Sequence, residues 1–306
     1  MEVKAFYDDA TSTLTYVVYD PASQDAVVID PVLNYDPAPS TTDTRSVDEV
    51  IRFVEGSRLR VHFILETHAH ADHLSGSQAL KKAFPQAQIA IGANITEVQK
   101  TFKQAFDLPA AFKTDGSQFD RLLQDGEILR AGTLALEVLF TPGHTPADAA
   151  YKMGDAIFTG DCLFMPDSGT GRCDFPAGSA RAQNRSITER LYTLPEQTRV
   201  FVGHDYQPGG RDLAFESTIG EQKRGNVHLP ADRSEEAFVK FRTERDSTLS
   251  TPKLLFQSVQ VNIDAGRLPE PSPTSSVRYL KIPVNLFQPA TSEDGRPGGE
   301  ITEETV

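Results

Sequence analysis

Five of the seven histidines in the chain fall in three short motifs whose spacing suits metal ligation. The densest is Thr67-His68-Ala69-His70-Ala71-Asp72-His73, one residue after the strand-like run Val61 to Leu65. Residues two apart in an extended segment face the same way, so His68 and His70 can converge on one ion. Asp72 and His73, read as the start of the next helix, would present a second set of ligands beside the first. Thr141-Pro142-Gly143-His144-Thr145-Pro146, Thr159-Gly160-Asp161 and Gly203-His204-Asp205-Tyr206 follow in order, each after another strand-like run. A lone histidine is commonly a satisfied core or surface residue. A cluster of three with an aspartate, echoed by three later strand-end ligands, points instead to a metal held by imidazole and carboxylate. Only Cys162 and Cys173 are present, which excludes a four-cysteine zinc site and a disulfide framework.

The elements that must position these residues alternate between strands and helices. Leu14 to Tyr19 and Ala26 to Ile29 read as strands joined by an Asp20-Pro21 turn. A Pro/Asp/Thr-rich loop then runs from Pro31 to Arg45, and Ser46 with Glu49 predicts a capped helix to about Glu55. Helices to about Phe84 and over Thr96 to Phe106 flank a strand at Ile89 to Ile91. Further strands are expected at Ile128-Leu129, Leu134 to Phe140, Ala149 to Lys152, Ala156 to Phe158 and Val200 to Val202. Strand runs in both halves, each broken by helices, favour two packed sheets with helices outside, an α/β sandwich in layers αββα. Beyond Ala231 the reading is a charged helix over Glu235 to Arg245, then strand-like segments at Leu254 to Val261 and Tyr279 to Leu286. The organisation is therefore a core over 1–230, an extension packed on it over 231–288, and an acidic tail over 289–306 expected to stay disordered.

The 306 residues, 39% hydrophobic and 24% charged, suffice for a sizeable core. With 43 acidic against 30 basic residues the net charge is -13, which repels phosphate backbones and anionic membranes. Neither nucleic acid nor a membrane is an expected partner. The N-terminus lacks the apolar core of a secretory signal and no apolar run approaches the ~20 residues of a membrane span, so a cytoplasmic address is expected.

The set H-x-H-x-D-H, PGHT, GD and GHD resembles the metallo-β-lactamase superfamily, which implies the same αββα sandwich. More narrowly, Phe164-Met165-Pro166-Asp167 and the run Gly169 to Pro176 resemble the persulfide dioxygenases, also called sulfur dioxygenases. The resemblance covers about residues 1–287, including Ser258 to Asn262 and Arg278 to Pro283. It implies one Fe(II) per chain on His68, His144 and Asp161, a facial triad of two imidazoles and a carboxylate. The implied reaction oxidises the outer sulfur of glutathione persulfide with O2 to sulfite and glutathione. Zinc outcompetes Fe(II) at nitrogen and oxygen sites, so a purified sample can carry zinc.

In superfamily hydrolases such as glyoxalase II, the same positions serve two metals, adding His70, Asp72, His73 and His204 with Asp161 bridging. All seven positions are kept here, so ligand count leaves open whether those four residues orient the first metal's ligands or hold a second. The alternative activity is that of a dizinc glutathione-thioester hydrolase. Cys173-Asp174-Phe175 resembles the dioxygenase pattern, which is therefore the preferred reading. Arg172 could grip a glutathione carboxylate or pair with Asp174 or Asp167. Tyr206 could hydrogen-bond substrate or pack at the rim, and Asp30 could orient a ligand or simply begin a loop. Cys162, Cys173, His62 and His228 are read as structural, and association into a homo-oligomer is left open.

Overall fold

The computed structural model describes residues 1–286, so the tail expected to be disordered lies outside the described residues. The first half of the chain runs through β1 (Glu2–Asp8), β2 (Thr13–Tyr19), β3 (Asp25–Ile29), β4 (Val32–Asp36), β5 (Thr41–Asp43), α1 (Arg45–Gly56), β6 (Arg60–Leu65), β7 (Leu74–Ser75), α2 (Ser77–Ala83), β8 (Gln88–Gly92), α3 (Ile95–Ala105) and β9 (Arg121–Leu123). The second continues with β10 (Ile128–Ala131), β11 (Leu134–Phe140), β12 (Ala149–Met153), β13 (Ala156–Phe158), α4 (Ala180–Arg185), β14 (Arg199–Phe201), β15 (Glu216–Thr218), α5 (Ile219–Gly225), α6 (Glu235–Asp246) and α7 (Leu255–Asn262).

Two six-stranded sheets result, ordered β1-β2-β3-β6-β8-β9 and β10-β11-β12-β13-β14-β15. Alternation along the strands sorts their side chains into two cores. Leu14, Tyr16, Val18, Val27, Ile29, Phe63 and Leu65 pack toward Leu136, Val138, Tyr151, Phe158 and Phe201 of the second sheet. Val17, Val28, Val61 and Ile64 point the other way, against Val47, Val50, Val54, Leu80, Val98, Phe102 and Val259 of the helices. Ile187, Leu191, Ile219 and Phe238 cover the second sheet, which completes the αββα sandwich. Two buried tyrosines cross between the sheets: Tyr16 donates to the Val202 carbonyl at 2.6 Å and Tyr151 to the Glu66 carbonyl at 2.6 Å. Each ties a strand to a segment that carries candidate metal ligands. Among the described residues no helix is long and apolar enough to cross a membrane.

Several expectations are corrected. The stretch 31–45 is not only loop, because β4 and β5 pair within it and β4 also pairs with β7. Ser46 does not cap α1; the N-cap is Thr44, without a capping bond, and the Ser46 hydroxyl is drawn to Asp8 Oδ1 at 3.1 Å. Asp72 and His73 do not begin a helix, since β7 intervenes before α2 starts at Ser77. Leu254 to Val261 is helical rather than extended: α7 buries Leu255, Ser258, Val259, Gln260, Val261 and Asn262 on several faces, which erases the helical period from the sequence. Tyr279 to Leu286 forms no strand, and with Tyr279 61% and Val284 84% exposed it has no sheet to join.

Candidate metal centre

Four turns bring the ligand residues together, and each follows the C-terminal end of a strand: β6 for His68 to His73, β11 for His144, β13 for Asp161 and β14 for His204. The parallel pairing of β13 with β14 sets the last two at the same end of the sheet. Gly160, at φ +49, allows a close approach: a Cβ there would lie 2.5 Å from Thr67 Oγ1. At Gly171 a Cβ would lie 2.2 Å from the Asp161 carbonyl, so the loop carrying Arg172 can pass only as glycine.

His68, His144 and Asp161 each present one donor atom within 4.8 Å of the other two, as do His70, Asp72 and His73. His144 Nε2 lies 3.6 Å from Asp161 Oδ2, and His204 Nε2 lies 3.2 Å from Asp161 Oδ1 and 3.5 Å from Asp72 Oδ2. The three residues anticipated as ligands and the four left open as supporting or second-metal positions thus lie side by side.

The far sides of the rings are fixed by acceptors. Thr67 Oγ1 donates to Asp30 Oδ2 at 2.8 Å and so accepts from His68 Nδ1 at 3.0 Å. His70 Nε2 donates to Asp30 Oδ1 at 3.1 Å, with Glu66 Oε2 at 3.3 Å, and His144 Nδ1 donates to the Arg172 carbonyl at 2.7 Å. What remains is a set of buried imidazole nitrogens without hydrogen-bond partners, His68 Nε2, His70 Nδ1 and His73 Nε2, beside an Asp161 Oδ1 whose one near neighbour is His204 Nε2 at 3.2 Å. A buried polar atom left unpaired costs about 1–3 kcal/mol, and three imidazole nitrogens gathered beside a carboxylate fit a metal cation.

Electrostatics agree with that fit. Burial opposes ionisation of Asp161, yet His204, His68 and His144 hold its carboxyl well below the usual range. Burial disfavours the His204 imidazolium, but the Asp161 and Asp72 carboxylates outweigh it and raise its pKa to about 9. His68, desolvated and beside His70, is pushed well down and stays neutral. A metal entering the centre therefore displaces protons as it binds.

Beyond the seven, Asp30 is a hub that orients Thr67 and His70, with its backbone in the left-handed region at φ +50. Asn262 of α7 was missed as a supporting residue. Its amide donates to the His70 and His73 carbonyls, each at 2.8 Å, and its Oδ1 accepts from Ser75 N–H at 2.8 Å. Arg172 forks onto both Asp174 oxygens at 2.6 Å and donates to the Ser250 carbonyl at 2.7 Å, while Asp167 pairs with Arg211 instead. Tyr206 is 55% exposed and stacks on His204 with ring centroids 5.6 Å apart. Cys162 and Cys173 are buried, and burial pushes both thiols up, away from thiolate chemistry. A cavity of about 870 Å³ opens over Asp72, His144 and Asp161, with Arg172, Arg245 and Lys253 along its wall.

Two sheets whose strand ends deliver a His/Asp metal cluster place this chain in the metallo-β-lactamase superfamily, to which it belongs: the superfamily's model matches residues 8–204. It is an enzyme of that superfamily with a site for a metal cofactor. Among curated relatives it is 47% identical, over 94% of this chain and 100% of the relative, to a probable metallo-hydrolase of Burkholderia pseudomallei. It is 47% identical to a beta-lactamase hydrolase-like protein of Agrobacterium fabrum, over 94% of this chain but 66% of that longer protein. To the mitochondrial persulfide dioxygenase ETHE1 of Homo sapiens it is 30% identical, over 86% of this chain and 88% of that one. The crystal structure of ETHE1 from Myxococcus xanthus matches with a TM-score of 0.70 at 32% identity, covering 87% of this chain and 100% of that one.

Proposed function

We propose that the protein is an iron-dependent persulfide dioxygenase that binds one Fe(II) and oxidises glutathione persulfide with O2. The observation that carries the reading is the buried convergence of His68, His144 and Asp161, two imidazoles and a carboxylate that would hold a ferrous ion, with His144 and Asp161 lining the cavity. Likeness to ETHE1 in sequence and in fold supports it. Ferrous iron, when bound, supplies the activation of dioxygen. The chain's own residues hold and orient: Thr67, Asp30 and the Arg172 carbonyl set the imidazoles. Arg245 and Lys253 lie on a cavity wall of mixed charge that also carries Asp36 and Asp43, and would meet the carboxylates of a peptide thiol such as glutathione. In the overall reaction the outer sulfur gains both oxygen atoms of O2, and water then cleaves the sulfur–sulfur bond, giving sulfite, glutathione and two protons.

A second reading rests on the neighbouring cluster of His70, Asp72 and His73, which could hold another metal and serve hydrolysis of a glutathione thioester. The relatives named as hydrolases favour it. Oxygen uptake on adding glutathione persulfide to anaerobically Fe(II)-loaded protein decides between them. The dioxygenase predicts rapid uptake with one sulfite per O2, lost in Asp161→Ala. No uptake by protein shown to hold iron, with thioester cleavage by the zinc form, refutes it.

A further inference from the structure

Asp246 ends α6, outside the residues 8–204 matched by the superfamily model. Its carboxylate is divided between two partners. Oδ1 accepts from Arg242 Nε at 2.9 Å and Nη2 at 2.6 Å, and Oδ2 accepts from the backbone N–H of Cys173 at 2.8 Å. The other end of that same peptide unit is the Arg172 carbonyl, which accepts from His144 Nδ1 at 2.7 Å. One peptide therefore stands between a carboxylate and a metal-ligand imidazole. Four of the five residues are buried, with Arg242 1%, Asp246 4%, His144 4% and Cys173 7% exposed, and Arg172 is part-buried at the cavity wall.

Two physical effects follow. A carbonyl oxygen carries no proton, so His144 Nδ1 must be the donor and Nε2 keeps its lone pair for the Asp161 side of the centre. A carboxylate on the peptide N–H drives electron density toward the carbonyl oxygen, so the two bonds strengthen each other in a low-dielectric interior. Arg242 fastens the start of the same loop, donating to the Thr170 carbonyl at 3.0 Å, so the strand of backbone between Thr170 and Cys173 is held at both ends.

We propose that Asp246 is a positioning residue of the metal centre: through the Arg172–Cys173 peptide it holds His144 as the Nδ1–H tautomer with Nε2 turned to the metal. Metal-ligating histidines commonly donate their second N–H to a carboxylate or carbonyl, and here the two are joined in series. The role is the same for a one-metal or two-metal centre, so it stands whichever substrate reading holds.

The test uses the full chain, stripped of metal and titrated with Zn(II). Asp246→Asn keeps the shape and one acceptor oxygen but removes the charge. Zn(II) affinity by chelator competition is expected to fall about ten- to a hundred-fold. Nitrogen-15 NMR of the metal-free protein is expected to show His144 passing from Nδ1–H alone to a mixture with Nε2–H. A merely structural role lowers the melting temperature without moving the tautomer. Arg181→Ala, which cuts the exposed pair with Glu235 between α4 and α6, supplies that comparison. A folded Asn variant with an unchanged tautomer and affinity within about two-fold of the parent overturns the proposal. If Arg242, left buried without its counter-charge, prevents folding, the double variant Arg242→Gln/Asp246→Asn removes both charges together. The same two losses are expected there, and their absence overturns the proposal equally.

Discussion

Replacing Asn262 with alanine should loosen the histidine-rich loop from a distance. The side chain is 4% exposed and makes three hydrogen bonds of 2.8 Å, to the His70 and His73 carbonyls and from Ser75 N–H. Each is worth about 0.5–1.5 kcal/mol net, and the buried loop offers the stranded groups no water in exchange, so the loss should be about 3–4 kcal/mol. At about 2 °C per kcal/mol for a chain of this size, the metal-free melting temperature should drop by about 6–8 °C. Zn(II) affinity should weaken by about ten-fold or more, because the loop's imidazoles lose their fixed orientation. Asn262→Asp should do worse than alanine, since an ionised oxygen would face both carbonyls. Urea unfolding of metal-free protein and chelator competition read the two quantities. A stability loss below about 1 kcal/mol together with unchanged affinity would refute the claim that this amide fastens the loop.

Two further outcomes are expected. Arg211→Ala leaves the fully buried Asp205 carboxylate without the guanidinium 2.7 Å away, and should cost about 2–3 kcal/mol in urea unfolding. Arg199→Ala, which removes an exposed pair with Glu216, should cost under ~1 kcal/mol, and equal losses would contradict the distinction. Burial and the neighbouring Arg242 guanidinium push His228 down to about 4. The unfolded chain takes up a proton near its ordinary value of about 6.5 while the folded one does not. Stability from this group is therefore full above about pH 6.5 and lost as pH falls toward 4. His228→Asn, whose carbonyl oxygen can still accept from Thr170 N–H, should flatten that limb of the stability curve; an unchanged slope would exclude His228 as its source.

The metal centre was legible because its ligands lie in contiguous turns after strands, where sequence order and spatial order coincide. Asp30 could be suspected from its place at the end of a buried strand, but nothing in its sequence neighbourhood distinguished a hub from a loop start. The supporting residues of the C-terminal segment were hidden for a different reason. Arg242 and Asp246, four apart in a charged helix, look like a solvated surface pair, yet both are buried. Asn262 sits in an apolar run that reads as extended because α7 is covered on several faces and shows no helical period. The β4–β5 hairpin escaped notice because Pro, Asp and Thr signal turns, and its pairing depends on β7, which lies some thirty residues further along the chain. The Arg172 alternatives were chemically equivalent from sequence; the structure brings Asp174 to its fork, and Asp167 to that of Arg211.

Because Asp246 and Asn262 come so late, the order of synthesis acquires meaning for this fold. A chain made from its N-terminus exposes His68, His70 and His73 long before α7 exists to clasp their loop, and places His144 before Asp246 can set its peptide. The two sheets are complete at β15, and Thr67 and Asp30 already orient His68 and His70, yet the loop's Asn262 bonds and the Asp246 bond behind His144 wait for α7 and α6. The segment after Ala231 is thus a latch in the chain's order as well as in space: its hydrogen bonds close on a centre whose candidate ligands all come earlier.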